Sequence, residues 1–271
     1  MFLLGNRIIR EKIEKLILKD KEIGSFLFYG PKGIGKFTFA KYLAENFNIH
    51  DRLVIEKKED EQVKIDEIRK IKEFLITKPL TDRKIIVIDQ FNKATLDAQN
   101  SFLKTLEEPI SNTVFILITQ NLFSILKTIQ SRVRIFKFSY IPTEECKLWL
   151  KSQKYNEEDI ETALVIYPHQ PGLAKKMIDS KAIEIVKDFI KIKNKSSLKK
   201  LLELKEINKE TMEALILYLI QVLRNKIKEK NEISVSDFYK LKSFSDLYMN
   251  INYYNLNLKI HFLKILVDYY G

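Results

Sequence analysis

The sequence predicts an α/β domain built on a parallel sheet, followed by two helical domains. Short apolar runs alternate with helix-like periods as far as residue 141, which is typical of a doubly wound sheet. A glycine-rich loop follows the first of these runs, where such sheets place their ligands. After Pro142 only helical periods remain. We therefore predict domains at residues 1–141, 142–180 and 181–271.

The predicted elements of the first domain follow one another without repeats or flexible linkers. Residues 7–20 have a helical period. Strands are expected in the runs SFLFY, RLVIE, KIIVID, TVFILITQ and RIFKFSYI. Helices are expected between them in KFTFAKYLAENF, KIDEIRKIKEFLITKP, TLDAQNSFLKTLEEP and SILKTIQSRV. Pro79 and Pro109 are expected to end the second and third of these helices, and Phe39, Ala40 and Leu43 to face inward from the first.

The rest of the chain is predicted to be helical. In YPHQPG, the residues Pro168, Pro171 and Gly172 predict a turn that leads into a helix. Long amphipathic helices are expected in MEALILYLIQVLRNKIKEK and in NLNLKIHFLKILVDYY. Trp149 is predicted to pack on the apolar face of its helix.

The composition favours a cytoplasmic protein without a membrane segment or a structural metal. No apolar run reaches the ~18 residues that a bilayer crossing requires, and the N-terminus turns charged within ten residues, unlike a signal peptide. Cys146 is the single cysteine, which excludes an internal disulfide and a cysteine-based zinc site. His50, His169 and His261 are too scattered to ligate a metal. The net charge of +11 permits contact with nucleic acid, but Glu accompanies most Lys, which favours solvated helix faces.

The stretch GPKGIGKFT predicts a phosphate-binding loop with one ligand missing. Gly30, Gly33 and Gly35 let backbone N–H groups converge on phosphate oxygens, and Lys36 reaches the terminal phosphates. The next position normally carries the Ser or Thr hydroxyl that binds Mg²⁺, and here it is Phe37. Thr38 is no substitute, because one step along a helix turns the side chain by roughly 100°. A chance glycine turn is disfavoured by the strand before the loop and the helix after it.

A second acidic position strengthens this interpretation. Asp89 ends the apolar run KIIVID, where a carboxylate can hold the water shell of Mg²⁺. The neighbouring position, which in ATPases of this class holds a Glu that polarises the attacking water, is Gln90. An amide cannot act as a general base. By itself, an Asp at a strand end is often only a helix cap.

Further motifs resemble the clamp-loader branch of the AAA+ ATPases. The segments that carry the resemblance occur in the expected order: LLGN, FLFYGPKGIGK, VKIDEIRKIKEFLITKP, KIIVIDQFNKAT, LKTLEEP, SRVR and QPGLA. They resemble the delta-prime subunits of bacterial DNA polymerase III more than the motor gamma/tau subunits. The resemblance implies an AAA+ sheet domain with a degenerate phosphate loop, a small helical lid domain at 142–180 and an oligomerising collar at 181–271.

The resemblance also assigns roles to single residues. Arg132, in the triplet that reads Ser-Arg-Val here, matches the arginine that points into a neighbour's ATP site, and Arg134 is the weaker candidate. Without the resemblance, Arg132 would be a surface residue at a helix end. Thr119 and Asn121 lie where the family has its first sensor, although a polar turn explains them equally well. The family's zinc-binding cysteines are absent from the interval before VKIDEIR.

The position of the family's second sensor arginine is occupied here by Gly172 or Leu173. The sensor is therefore expected to be lost, like the ligand at Phe37 and the base at Gln90. The aromatic C-terminal segment falls where the family has its collar, so we expect it to form core and subunit interface instead of stacking on nucleic acid bases.

Three functions compete at this point. The favoured one is a non-catalytic clamp-loader subunit that lends Arg132 to a neighbouring ATPase subunit and has no activity of its own. Its expected partners are gamma/tau and delta subunits, the sliding clamp and, through the complex, primer-template DNA. ATP and Mg²⁺ are then bound mainly by the partners, and this chain requires no cofactor. The alternatives are an active clamp-loader ATPase, against which Phe37 and Gln90 argue, and a free-standing basic nucleic-acid-binding protein, which the even charge pattern disfavours.

Overall fold

The computed structural model describes residues 4–19, 24–46, 51–57, 61–77, 80, 83–107, 112–180, 182–191, 208–230 and 233–250. The chain divides into two compact units, Met1–Glu145 and Cys146–Gly271. Pro79, Pro109, His50, His261 and the predicted helix NLNLKIHFLKILVDYY lie outside the described residues. The division into three domains stays a prediction.

The first unit is built on a five-stranded parallel sheet, as predicted from the alternating apolar runs. Its order is β2-β3-β4-β1-β5, and every neighbouring pair is parallel. The strands are β1 (Gly24–Tyr29), β2 (Arg52–Ile55), β3 (Lys84–Ile88), β4 (Thr113–Thr119) and β5 (Arg134–Lys137). The loop after β1 lies at the carboxyl edge of the sheet, and β1 is an interior strand, flanked by β4 and β5.

Helices connect these strands, and each predicted helix of the unit is present. They are α1 (Arg7–Glu14), α2 (Lys36–Asn46), α3 (Ile65–Ile76), α4 (Leu96–Glu107) and α5 (Lys127–Gln130). A π-helical segment, Lys15–Lys19, continues α1, and 3₁₀ turns lie at Phe91–Lys93 and Leu122–Ser124. Phe39, Ala40 and Leu43 of α2 are buried, which confirms the predicted inward face.

The core of this unit lies against β3 and β4, in which every residue is buried. Apolar side chains of α3 and α4 complete it, including Ile68, Ile71, Ala98 and Phe102. Strands with apolar residues on both faces are typical of a sheet covered by helices on both sides.

One prediction at the edge of this unit needs correction. The run RIFKFSYI forms a strand only as far as Lys137. The Phe138 N–H still donates to the Tyr29 carbonyl of β1 at 2.8 Å, whereas both backbone groups of Ser139 bond to the Asn6 side chain, at 2.8 and 3.0 Å, and not to a neighbouring strand. Ile8 belongs to the apolar period of residues 7–20 but is 82% exposed, whereas Ile13 and Ile17 are fully buried. Ile8 lies five residues before Ile13, a spacing that puts the two on different helix faces.

The second unit is helical throughout its described part. It contains most of α6 (Thr143–Ser152), followed by α7 (Glu157–Ile166), α8 (Pro171–Asp179), α9 (Ala182–Ile190), α10 (Lys209–Lys230) and α11 (Val235–Asn250). The helix predicted in MEALILYLIQVLRNKIKEK is confirmed by α10, which packs on α7, α9 and α11. Within the described ranges, none of the helices has the length and apolar content needed to cross a membrane.

Polar contacts and apolar burial both hold the second unit together. Lys187 of α9 forms an ion pair with Asp159 of α7, and both side chains are nearly buried. The Asn156 side chain accepts the Asp159 N–H at 2.7 Å and thereby caps α7. Cys146 is buried as a thiol, and Trp149 is partly buried on α6.

One buried cation joins β3 to the end of α3. The run KIIVID begins with Lys84, which the sequence did not distinguish from an exposed strand end and which is only 3% exposed. Its Nζ donates to the carbonyls of Phe74 at 2.5 Å, Leu75 at 3.2 Å and Thr77, and to the Thr77 hydroxyl at 2.9 Å. A positive charge at the C-terminus of a helix interacts favourably with the negative end of the helix dipole. The ammonium also donates hydrogen bonds to carbonyls that lack an intrahelical partner.

We predict that Lys84→Met lowers the free energy of unfolding by about 2 kcal/mol, because the α3 carbonyls lose their buried donor. Urea denaturation of both proteins measures this difference. Lys70→Met, at an exposed position of the same helix, is the matched control and is expected to change stability by less than about 0.5 kcal/mol. Equal stabilities for the Lys84 and Lys70 variants would contradict the capping role.

Candidate functional site

The loop after β1 has the backbone geometry of a phosphate-binding loop. Gly30, Gly33 and Gly35 all have positive φ angles, of 148°, 74° and 89°. At Gly30 a side chain is also excluded by contact, since a Cβ there would collide with the carbonyl oxygen of Phe138. The helix α2 begins directly after the loop, at Lys36. The loop therefore meets the N-terminus of a helix, as the binding of an anion requires.

Lys36 lies inside this loop. Its side chain is 6% exposed, and Nζ donates to the carbonyl oxygens of Gly30 at 2.7 Å and Pro31 at 2.5 Å. Burial lowers the pKa of the Lys36 ammonium to about 8, and the attraction of Asp89 opposes this shift in part. The Lys36 ammonium thus donates its hydrogen bonds to carbonyls of its own loop. If a phosphate binds, the ammonium must give up these carbonyl acceptors to donate to phosphate oxygens.

Phe37 gives the first turn of α2 an aromatic ring where a metal-binding hydroxyl is expected. The ring is partly buried, and Lys41 Nζ lies 4.4 Å from its centroid. Lys41 Nζ also forms an ion pair with Glu56 at 3.2 Å. The Lys41 ammonium therefore makes a cation–π contact with Phe37 and an ion pair with Glu56. Thr38 is exposed.

Asp89 follows β3 at the same edge of the sheet. Burial raises the pKa of its carboxyl above the ordinary value, while the Gln90 backbone N–H and Lys36 act to lower it. The Gln90 side chain donates to the backbone oxygen of Lys57 at 2.5 Å. Gln90 is therefore tied to the segment after β2.

These residues do not fit a complete Mg²⁺ site. Mg²⁺ in such loops is held by an oxygen from the residue after the lysine together with the carboxylate at the strand end. The ring of Phe37 offers no oxygen, so Asp89 is the only one of the two ligands present. The arrangement can hold an anion, and the amide of Gln90 beside Asp89 cannot act as a general base. That the site is degenerate as a whole stays a prediction.

Thr119 and Asn121, the predicted sensor positions, are bound into a turn. Thr119 is fully buried, and its hydroxyl donates to the Asn121 carbonyl at 2.9 Å and accepts the Asn121 N–H at 3.1 Å. The Asn121 side chain in turn accepts the Phe123 N–H at 2.9 Å. These bonds account for the polar groups as turn-forming residues, and a sensor role stays a prediction.

Gln99 is a structural residue that the sequence analysis missed. It lies on the buried face of α4, 5% exposed, and its amide donates to the carbonyls of Ala94 at 3.2 Å and Ser124 at 3.0 Å. Its oxygen accepts the Leu126 N–H at 2.9 Å, and neither Leu126 nor the extended Ile125 before it has helical backbone angles. This explains why the predicted helix SILKTIQSRV is reduced to Lys127–Gln130. A signal was available, since Gln99 shares a helical face with Phe102 and Leu106.

Arg132 lies two residues after α5 and is 38% exposed. Its Nη1 donates to the Thr128 carbonyl at 2.9 Å and to the Ser131 hydroxyl at 3.4 Å, and its Nη2 pairs with Glu107 at 2.7 Å. Within the described part of the chain, these are its polar contacts, and none joins it to the phosphate loop. Arg134, the weaker candidate, is exposed on the edge strand β5.

Gly172 lies in the first turn of α8, directly after Pro171. This confirms the predicted turn before a helix at YPHQPG. Neither Gly172 nor the partly buried Leu173 carries the cationic side chain that a second sensor requires.

The lowered pKa of Lys36 predicts a pH effect on stability. The unfolded chain keeps the proton up to the ordinary value of 10.5, whereas the folded chain releases it near 8. Between these values the unfolded state binds more protons, so the free energy of unfolding rises with pH. Relative to Lys36→Met, wild type is expected to gain about 2 kcal/mol between pH 8 and pH 10. Urea titrations at both pH values, with the exposed Lys104→Met as control, measure this gain, and a constant difference would contradict it.

Comparison of the sequence with known proteins gives matches to replication proteins. Residues 45–142 match the profile of the family described as DNA polymerase III, delta subunit. The chain is 32% identical over 181 residues to a replication factor C small subunit of Methanococcus vannielii, covering 64% of this chain and 57% of the relative. It is 31% identical over 193 residues to DNA polymerase III subunit delta' of Haemophilus influenzae, covering 67% and 58%. The chain therefore spans little more than half the length of these relatives.

A solved structure shares the fold of this chain. A DNA polymerase III gamma subunit-related protein from Thermotoga maritima superposes with a TM-score of 0.64 at 24% identity, covering 95% of this chain and 97% of that one. At this identity the likeness concerns the fold, which is the AAA+ type of parallel α/β sheet followed by helices. The chain is thus similar in sequence to these replication proteins, and its fold is of the AAA+ type.

Proposed function

We propose that the chain is a non-catalytic clamp-loader subunit of the delta-prime type. It supports the ATP-dependent loading of a sliding clamp onto primed DNA and does not turn over ATP itself. The observation that carries this proposal is Phe37, because it removes the metal ligand from a loop whose backbone is otherwise intact. Gln90 strengthens the proposal, since an amide bound to a backbone carbonyl cannot activate water.

Arg132 is the residue through which the subunit acts on a neighbour. Its guanidinium is partly exposed at the end of a short helix, so a partner's triphosphate can approach it. An arginine supplied in trans stabilises the charge that develops on the transferring phosphoryl group. Under this proposal the partners are gamma/tau and delta subunits, which bind ATP and Mg²⁺, together with the sliding clamp and primer-template DNA in the cytoplasm. The chain itself requires no cofactor.

An active clamp-loader ATPase is the second candidate. It is favoured by the retained geometry of the loop and by Lys36 and Asp89, which interact across the carboxyl edge of the sheet. A free-standing nucleic-acid-binding protein is third, and the net charge of +11 is its main support.

The two leading candidates differ in what the isolated chain does with ATP. We expect the purified chain with ATP and Mg²⁺ to release phosphate no faster than buffer does, because both the metal ligand and the base are missing. A radiolabelled phosphate-release assay measures this rate. Turnover that Lys36→Ala abolishes would establish the active ATPase instead, while turnover that survives this substitution indicates a contaminating enzyme.

The trans role requires the assembled complex. In a loader reconstituted with gamma/tau and delta subunits, Arg132→Ala is expected to lower the turnover of the one ATP site it completes by at least about tenfold. Size-exclusion chromatography should show intact assembly, since the side chain is partly exposed. Arg69→Ala, which removes another exposed, ion-paired arginine of the same unit, is the matched control. Wild-type clamp- and DNA-stimulated ATPase activity in Arg132→Ala would remove Arg132 from the mechanism.

A further inference from the structure

The segment LKTLEEP contains a carboxylate, that of Glu107, whose role the sequence does not explain. Glu107 is the last residue of α4, and its Oε1 lies 2.7 Å from Nη2 of Arg132. The two residues come from different helix ends, 25 positions apart in the sequence (132 − 107). Both side chains are partly exposed, at 48% for Glu107 and 38% for Arg132.

Stability does not account for this ion pair. Exposed pairs contribute about 0–1 kcal/mol, because water screens the attraction and two long side chains lose freedom. An arginine side chain has about 2 kcal/mol of rotamer entropy to lose when it is fixed in one orientation. Glu107, the Thr128 carbonyl and the Ser131 hydroxyl supply three acceptors from two segments, which together restrict the guanidinium to one position.

The bonds leave part of the guanidinium available. Arginine has five N–H donors. Two of the three contacts are made by Nη1 and one by Nη2. Among the described residues, no acceptor bonds to Nε–H or to the second N–H of Nη2. A phosphoryl oxygen can therefore bind to the remaining N–H groups while Glu107 keeps its hold on Nη2.

We infer that Glu107 is a positioning residue for Arg132, which it holds in the orientation that a neighbour's phosphoryl group meets. This inference rests on the proposed trans role of Arg132. The Glu107 carboxylate also repels the phosphoryl group of the neighbour. Two like unit charges about 7 Å apart in water repel each other by only about 0.6 kcal/mol. Misplacement of a group by about 1 Å can cost 100-fold in rate. Orientation therefore outweighs repulsion at this site.

A double-mutant cycle in the assembled loader tests the inference. Glu107→Ala is expected to lower the Arg132-dependent ATPase rate by roughly threefold to tenfold. The loss should fall on kcat, with KM for ATP unchanged, because the neighbour's own loop binds the ground state. Glu107→Gln should recover part of the rate, since its amide oxygen still accepts from Nη2. In the Arg132→Ala background, Glu107→Ala should cause no further loss.

Asp66→Ala is the matched control, because it breaks the exposed Asp66–Arg69 pair of the same unit and should leave the rate unchanged. Melting curves of all variants are expected to coincide within about 2 °C. If Arg132→Ala lowers the rate and Glu107→Ala does not, or raises it, the positioning role is wrong while the proposed function stands. An equal loss from Glu107→Ala in both backgrounds would also overturn it. A wild-type rate in Arg132→Ala would overturn the trans role and the positioning role together.

Discussion

The parallel placement of β1 between β4 and β5 is the constraint on which the candidate site depends. Tyr29, the last residue of β1, pairs with Thr119 on one side and with Lys137 on the other, and the end of β3 lies at the same edge. Because parallel strands end together, the phosphate loop, Asp89 and the turn at Thr119 lie along one edge of the sheet. The buried side chains of β3 and β4 fix this arrangement through the hydrophobic core.

The phosphate loop has a structural role that is independent of any nucleotide. Gly30 packs so closely on the Phe138 carbonyl that no side chain fits between them, and Lys36 fills the loop from inside with two hydrogen bonds. A chain that does not hydrolyse ATP would still need Gly30, Gly33 and Gly35, whose positive φ angles shape the connection from β1 to α2. This structural role explains how the loop glycines can be present although Phe37 stands where a Ser or Thr is expected.

The end of α4 connects the core to the exposed arginine. Gln99 bonds α4 to the turn before α5, and Glu107 contacts Arg132, two residues after α5. Buried hydrogen bonds of an amide side chain specify one geometry, because each unpaired group would cost about 1–3 kcal/mol. Two contacts of α4 therefore position Arg132: the buried hydrogen bonds of Gln99 and the exposed ion pair of Glu107.

The sequence by itself determined the elements, their alternation and the missing groups at Phe37 and Gln90, because apolar period, glycine spacing and residue chemistry are local properties. Only the tertiary structure decided which polar side chains are buried, as at Lys84 and Gln99, and which carboxylate meets Arg132. It also decided that the backbone of Ser139 bonds to the side chain of Asn6 and not to a neighbouring strand. Those contacts join residues far apart in the chain, and a periodic pattern carries no information about which distant donor and acceptor will meet.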